Sequence, residues 1–202
     1  MSDKVLKNKI VLITGASNGI GRATARLLAR KGATIAIGYH ANKERAVAVL
    51  GSLPDAKHSI IQVDISNPKS VEKMAEKIKN SYGKLDVLVN SAGLTQPIPH
   101  KDLETLDEKV FDKLLQLNAG GPFSVIRHHI DLLKKANQSV VINVSSISAF
   151  TGSGSNIAYC AAKGALDTMT KSFARVFGPE IRFLCVSPAA VATDFVTGRD
   201  LS

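Results

Sequence analysis

Tryptophan is absent, and aromatic residues make up only 5% of the 202 positions. There are two cysteines, Cys160 and Cys185, with no C-x-x-C pair. That excludes a disulfide framework, argues against a structural zinc site or any other metal site, and suits a reducing cytoplasm. No apolar run is long enough to span a bilayer, and Met1-Ser2-Asp3-Lys4 lacks the apolar core of a secretory signal. A soluble cytoplasmic protein with no membrane partner is expected. Acidic residues are outnumbered 17 to 26 by Lys and Arg, for a formal net charge of +9. The excess would draw an anionic ligand, but the basic residues are scattered and form no long run, so nucleic acid is not expected as a partner. Neither a repeat nor a linker divides the chain, and residues 1–202 read as a single domain.

What is present is a regular alternation. Short apolar runs at Ile10–Ile13, Thr34–Tyr39, Ser59–Val63, Leu85–Val89, Ser139–Val144 and Ile181–Val186 read as strands. Between them lie helical segments: Arg22–Ala29 with Ile20, Thr24, Leu27 and Leu28 along one side, Asn42–Leu50, and a stretch opened by Asn67-Pro68 with Val71, Met74, Ala75 and Ile78 as its apolar stripe. A long helical stretch from about Asp107 to Lys135 is interrupted near Gly120-Gly121-Pro122, and another runs from about Ala158 to Phe177. Residues 151–156 read as a flexible loop. Continuous apolar strands alternating with helices predict an α/β fold, a doubly wound parallel sheet covered on both faces.

Three stretches carry chemistry. Thr14-Gly15-Ala16-Ser17-Asn18-Gly19-Ile20-Gly21 joins the first strand to the first helix. Glycines there allow a tight turn, a close backbone approach to a pyrophosphate and close packing of helix on strand, while the helix start offers unpaired N–H groups to an anion. Tyr159 and Lys163 stand four apart on a helix and so share a face. A tyrosine ionises near pH 10 in water, and an ammonium beside it favours the phenolate, so the pair could exchange a proton with a substrate oxygen. Ser146 lies thirteen residues before Tyr159, at the carboxyl end of the fifth strand, where ligands bind in open α/β sheets.

In its glycine spacing, its Ser146, Tyr159 and Lys163, and over essentially its whole length, the chain resembles the short-chain dehydrogenase/reductase family. The resemblance implies a Rossmann-like sheet in the order 3-2-1-4-5-6 and an NAD(P)-dependent oxidoreductase that interconverts a secondary alcohol and a ketone, a 3-oxoacyl or sugar-like compound being possible substrates. By position it implies that Tyr159 is the acid/base, that Lys163 lowers its pKa and binds the nicotinamide ribose, that Ser146 holds the substrate oxygen, and that Asn118 holds a water relaying protons to Lys163. It implies cofactor contacts at Gly15, Ser17, Asn18, Gly19, Ile20 and Gly21, at Asp64 and Ile65 after the third strand, and at Asn90, Ala92 and Gly93 of Asn90-Ser91-Ala92-Gly93. It extends them to Tyr159 and Lys163 and to Pro188, Val191 and Thr193 after the sixth strand. Ala189 replaces a usual glycine there and would strain the turn if that position needs a positive φ. A homodimer or homotetramer is implied as well.

The cofactor is read from the end of the second strand. An acid there would pair with a free 2′-hydroxyl, but the chain has His40 and Lys43, with no acid until Glu44. NADP is the expected cofactor, with NAD left open. Relatives usually continue through a substrate loop, a helix and a seventh strand, whereas this sequence stops at Ser202. A second reading therefore stays open: a nucleotide-binding regulatory or scaffold protein of the same fold, with weak catalysis.

Overall fold

The computed structural model describes residues 4–193 and residue 195. Six parallel strands form one sheet in the order β3-β2-β1-β4-β5-β6, as expected from the sequence. They are β1 (Ile10–Thr14), β2 (Thr34–Tyr39), β3 (Ser59–Gln62), β4 (Val87–Asn90), β5 (Ser139–Val144) and β6 (Ile181–Val186). The helices are α1 (Gly19–Arg30), α2 (Lys43–Gly51), α3 (Pro68–Tyr82), α4 (Glu108–Leu115), α5 (Gly121–Lys134), α6 (Ser148–Thr151) and α7 (Ile157–Phe177). A π-helical turn, Gln116–Gly120, separates α4 from α5, so the expected interruption begins one turn earlier than Gly120.

Alternating side chains of each strand feed two cores. Leu12, Leu88 and Val141 pack with Val71, Met74 and Ile78 of α3 and with Val125, Ile126 and Leu133 of α5. Val11, Ile13, Ile35 and Ile37 face the other way, onto Ala25 and Ala29 of α1 and Ala46 and Val49 of α2. Each of the larger side chains among these, the leucines, isoleucines, valines and Met74, contributes about 2 kcal/mol by leaving water. Helix boundaries follow local chemistry. Asn18, Asn42, Asn67, Asp107 and Asn156 each accept a backbone N–H at a helix start. Gly83, at φ 74°, closes α3.

Two expectations are corrected. The buried side of α1 is Gly21, Ala25 and Ala29, whereas Leu27 is 50% exposed. Close contact with the turn requires glycine at Gly21, where a Cβ would meet the Gly15 carbonyl oxygen at 2.5 Å, while Leu28 of the expected stripe does pack against the core. The loop expected at residues 151–156 begins only at Gly152, because Thr151 ends α6, and it is bonded to its surroundings as described below.

At the amino end of the sheet Asp86, 3% exposed, accepts Ile10 N–H at 2.9 Å and the ammonium groups of Lys9 and Lys84, each at 3.1 Å. Burial pushes its carboxyl up, but the bonds from Ile10, Lys84 and Lys9 together hold it below the ordinary carboxylate range. On α5 the fully buried His129 bonds through Nδ1 to the Val125 carbonyl at 2.8 Å, while its Nε2 has no partner. Burial drives its pKa down to about 4. No helix among the described residues is long and apolar enough to cross a membrane.

Candidate active site

In a parallel sheet the segments that follow the strands gather along one edge, and every candidate site segment lies there. The glycine turn after β1 is shaped by contact. Gly15 takes φ 67°, and a Cβ on it would meet Ala92 Cα at 2.8 Å. A Cβ on Gly21 would lie 2.5 Å from the Gly15 carbonyl oxygen. Thr14 Oγ1 accepts the N–H groups of Ser91 and Ala92, both at 3.2 Å, so the segment after β4 is fastened against the turn. Asn18 Oδ1 accepts Gly19 N–H at 2.8 Å. Gly19, at φ 51°, faces Thr193, whose Cβ would stand 3.5 Å from an added methyl. Ser17 and Ile20 complete the turn, half-buried.

His40 and Lys43 are exposed at the carboxyl end of β2. Asp64 accepts from Ser66 Oγ at 2.6 Å and Ser66 N at 2.9 Å. The Ser66 hydroxyl, outweighing burial and helped by the Ser66 N–H and the charge of His40, holds the Asp64 carboxyl below its usual range. His40, Asp64 and Lys73 line a cleft of about 430 Å³. The Ile65 side chain is buried and packs over Gly121, where a Cβ would come within 2.7 Å of it, so only its main chain is left for a ligand.

Tyr159 and Lys163 are carried by α7, Ser146 by the segment after β5, and Asn118 by the π-helical turn; their exposures are 9%, 5%, 9% and 0%. Lys163 Nζ donates to the Val144 carbonyl at 2.8 Å and stands 5.6 Å from the centre of the Tyr159 ring. Gly93 is where Asn118 and Lys163 converge: a Cβ there would lie 2.8 Å from Asn118 Oδ1 and 4.0 Å from Lys163 Nζ. Asn118 donates to the carbonyls of Leu94 and Leu114 at 2.8 and 2.9 Å and accepts Leu94 N–H at 3.2 Å. Both amide hydrogens are thus committed to main-chain oxygens. Ser146 Oγ bonds with Ser148 Oγ at 3.0 Å and accepts Ser148 N–H at 3.1 Å.

The tyrosine does not have the lowered pKa that its lysine neighbour suggested. Burial raises it, and the nearby Ser146 hydroxyl only partly offsets the rise. The reason is geometric, since the Lys163 ammonium is turned toward the Val144 carbonyl. Burial also brings Lys163 down, to about 8, against the opposing pull of Asp167 and Cys185.

After β6, the Pro188 carbonyl accepts Ile147 N–H at 3.1 Å, joining that segment to the one bearing Ser146. Val191 is exposed. The Phe195 ring stands 6.2 Å from that of Tyr159, centre to centre. Ala189 is not strained: among the described residues the non-glycine positions with positive φ are Asn8 and Gln138.

Two groups escaped the sequence reading, the buried partners of Asn90 and the cap at Asn156. Asn90 Nδ2 donates to Asn143 Oδ1, and Asn143 Nδ2 to Thr170 Oγ1, both at 2.8 Å, forming a buried polar line from β4 across β5 to α7. Asn156, fully buried, caps α7 three residues before Tyr159. An Asn immediately ahead of an apolar-periodic segment was the available signal for the second. The first has no local signature.

A family model described as short chain dehydrogenase matches residues 9–201. The 3-oxoacyl-acyl-carrier-protein reductase of Haemophilus influenzae is 33% identical over 190 residues, covering 94% of this chain and 76% of that one. A 3beta-hydroxysteroid dehydrogenase of Mediterraneibacter gnavus is 37% identical over 168 residues, 82% of this chain and 59% of the relative. Among solved structures, a dehydrogenase/reductase from Sinorhizobium meliloti 1021 superposes with a TM-score of 0.88 at 32% identity, covering 96% of this chain and 77% of that one.

Proposed function

The chain belongs to the short-chain dehydrogenase family, and from that premise we propose that it interconverts a ketone and a secondary alcohol with NADP, Tyr159 acting as the acid/base. As a family member it is an oxidoreductase of CH–OH and carbonyl groups, dependent on NAD(P). The chain suits a dinucleotide. Gly15, Gly19 and Gly21 leave the turn without side chains, α1 presents its amino end there, and Asn90–Gly93 closes against it. Ser17, Asn18 and Ile20 would lie along the phosphates, Asp64 and the Ile65 main chain beside the adenine, and Pro188, Val191 and Thr193 near the nicotinamide. The bound nicotinamide would supply or accept the hydride.

The rest of the chemistry falls to side chains. A buried tyrosine with a raised pKa is protonated at neutral pH and serves as the proton donor to a carbonyl oxygen during reduction. Ser146, whose hydroxyl lies near the same phenol, would support that oxygen. Lys163, with a pKa of about 8, is mostly ammonium at neutral pH and would bind the nicotinamide ribose. Oxidation needs the phenolate, so its rate should climb as pH rises through the tyrosine pKa. The observation that carries this reading is the convergence of buried Tyr159, Ser146 and Lys163 at the sheet edge that also bears the glycine turn. A scaffold protein has no need to keep that set together.

Tyr159→Phe removes only the phenolic O–H. With NADPH and a panel of 3-oxoacyl and sugar-like carbonyl compounds, turnover should fall about a hundredfold while the fold survives. A variant that keeps most of the wild-type rate on a compound the wild type reduces removes Tyr159 from its role. For the cofactor, exposed His40 and Lys43, with no acid beside them, favour a 2′-phosphate. NADPH should bind more tightly than NADH, and His40→Asp should reverse the order. A wild type that prefers NADH by about tenfold, about 1.4 kcal/mol, would overturn the assignment. A homodimer or homotetramer is proposed too, and light scattering at micromolar concentration tests it.

A further inference from the structure

Residues 152–156, just ahead of the helix that carries Tyr159, are stitched to the segment after β4. Ser155 Oγ bonds with Thr95 Oγ1, the Ser155 carbonyl accepts Ile98 N–H at 2.8 Å, and His100 Nε2 meets the Gly154 carbonyl at 3.2 Å. Asn156 is the inner stitch and is fully buried. Its Nδ2 donates to the Gln96 carbonyl at 2.7 Å, while its Oδ1 accepts Tyr159 N–H at 2.7 Å. Both ends of one amide are therefore spent, one on each element.

The segment it holds is itself fixed from the other side. Two residues before Gln96, Leu94 exchanges both main-chain groups with the Asn118 side chain, at 2.8 and 3.2 Å. A continuous run of short bonds thus leads from Asn118 through Leu94–Gln96 and Asn156 to the backbone of Tyr159. Gly154 presses on the same structure from Ser146's side, where a Cβ would come within 2.6 Å of Ser148 Oγ, the hydroxyl bonded to Ser146.

Resting on the reading of Tyr159 as acid/base, we propose that Asn156 is a positioning residue, whose bridge to the Gln96 carbonyl sets the start of the Tyr159 helix, and with it the phenol, relative to Ser146. A cap alone would not need the bridge. Serine caps a helix about as well as asparagine but lacks the amide donor that reaches Gln96. Asn156→Ser therefore separates the two roles and leaves no buried charge.

The test reads the phenol directly. Tyr159 ionisation is followed by the phenolate band in the near ultraviolet, with Tyr159→Phe subtracted to remove Tyr39 and Tyr82. The same subtraction is made in Asn156→Ser. If the bridge sets the phenol near Ser146, the substitution moves the phenol away from the hydroxyl that favours the phenolate. The ionisation constant should then drop by about threefold or more, while thermal unfolding changes little. Turnover of a compound the wild type reduces should fall about tenfold, with NADPH affinity unchanged. An unchanged Tyr159 titration in a folded Asn156→Ser protein overturns the proposal. So does a shift that an Asn156→Thr cap of the same length restores to the wild-type value, because neither hydroxyl residue can make the bridge. Retained activity in Tyr159→Phe is a different result: it removes the acid/base reading itself, whatever Asn156 does to the titration.

Discussion

The two halves of the site are held by opposite means. Around the β1–α1 turn the geometry comes from what is missing: Gly15 against Ala92, Gly21 against the Gly15 carbonyl, and small residues where α1 meets the sheet. Around β5 and α7 it comes from what is added: Asn90, Asn143, Thr170, Asn118 and Asn156, each buried and each bonded. A site shaped by backbone approach has little tolerance for volume. A site shaped by side-chain amides tolerates volume better but depends on every donor finding its acceptor.

Substitutions can break that contrast. The largest effect is expected at Gly21→Ala, whose methyl would enter the space 2.5 Å from a backbone oxygen that cannot swing aside. About 3 kcal/mol of stability should be lost, read from the urea midpoint. Next is Asn143→Leu, close in size to the asparagine it replaces. It would strand the Asn90 amide and the Thr170 hydroxyl in the core, at about 2 kcal/mol. A near-neutral result would mean that shape outweighs polar pairing in this half as well. Smallest is Gly51→Ala, at the end of α2, where a Cβ meets nothing within 4 Å. It should raise stability by about 0.5 kcal/mol, through the unfolded chain. Two Gly→Ala changes of opposite sign would show that contact, not the residue type, decides.

The contrast also explains what the sequence disclosed. Glycine spacing and apolar runs are local, so the turn and the six strands could be read, while the family resemblance supplied the strand order and pointed to Tyr159, Lys163, Ser146 and Asn118, all of them buried in the structure. The buried side of α1 was misread because hydropathy favours Leu27, whereas close packing on the sheet selects Gly21, Ala25 and Ala29. The Tyr159 pKa was misread because four-residue spacing says that two side chains share a face, not where an ammonium points. Asn143 and Asn156 find partners 53 and 60 residues away, and no window of sequence contains both ends of such a bond.

One consequence lies away from the cleft. His129 sits neutral in the core with a pKa of about 4, whereas in an unfolded chain it takes a proton near 6.5. Its folded value is the depressed one, so acid favours the unfolded chain, and the loss accumulates as pH falls from about 6.5 to 4. Asp86, also depressed, adds its own loss below the ordinary carboxylate range. On acidification the fold therefore loses stability, while Tyr159 and Lys163 stay in the protonated forms that reduction uses. Its acid limit is a solvent-hidden fuse, and swapping His129 for leucine should flatten the acid-unfolding curve between those two pH values while the pH dependence of turnover above them stays the same.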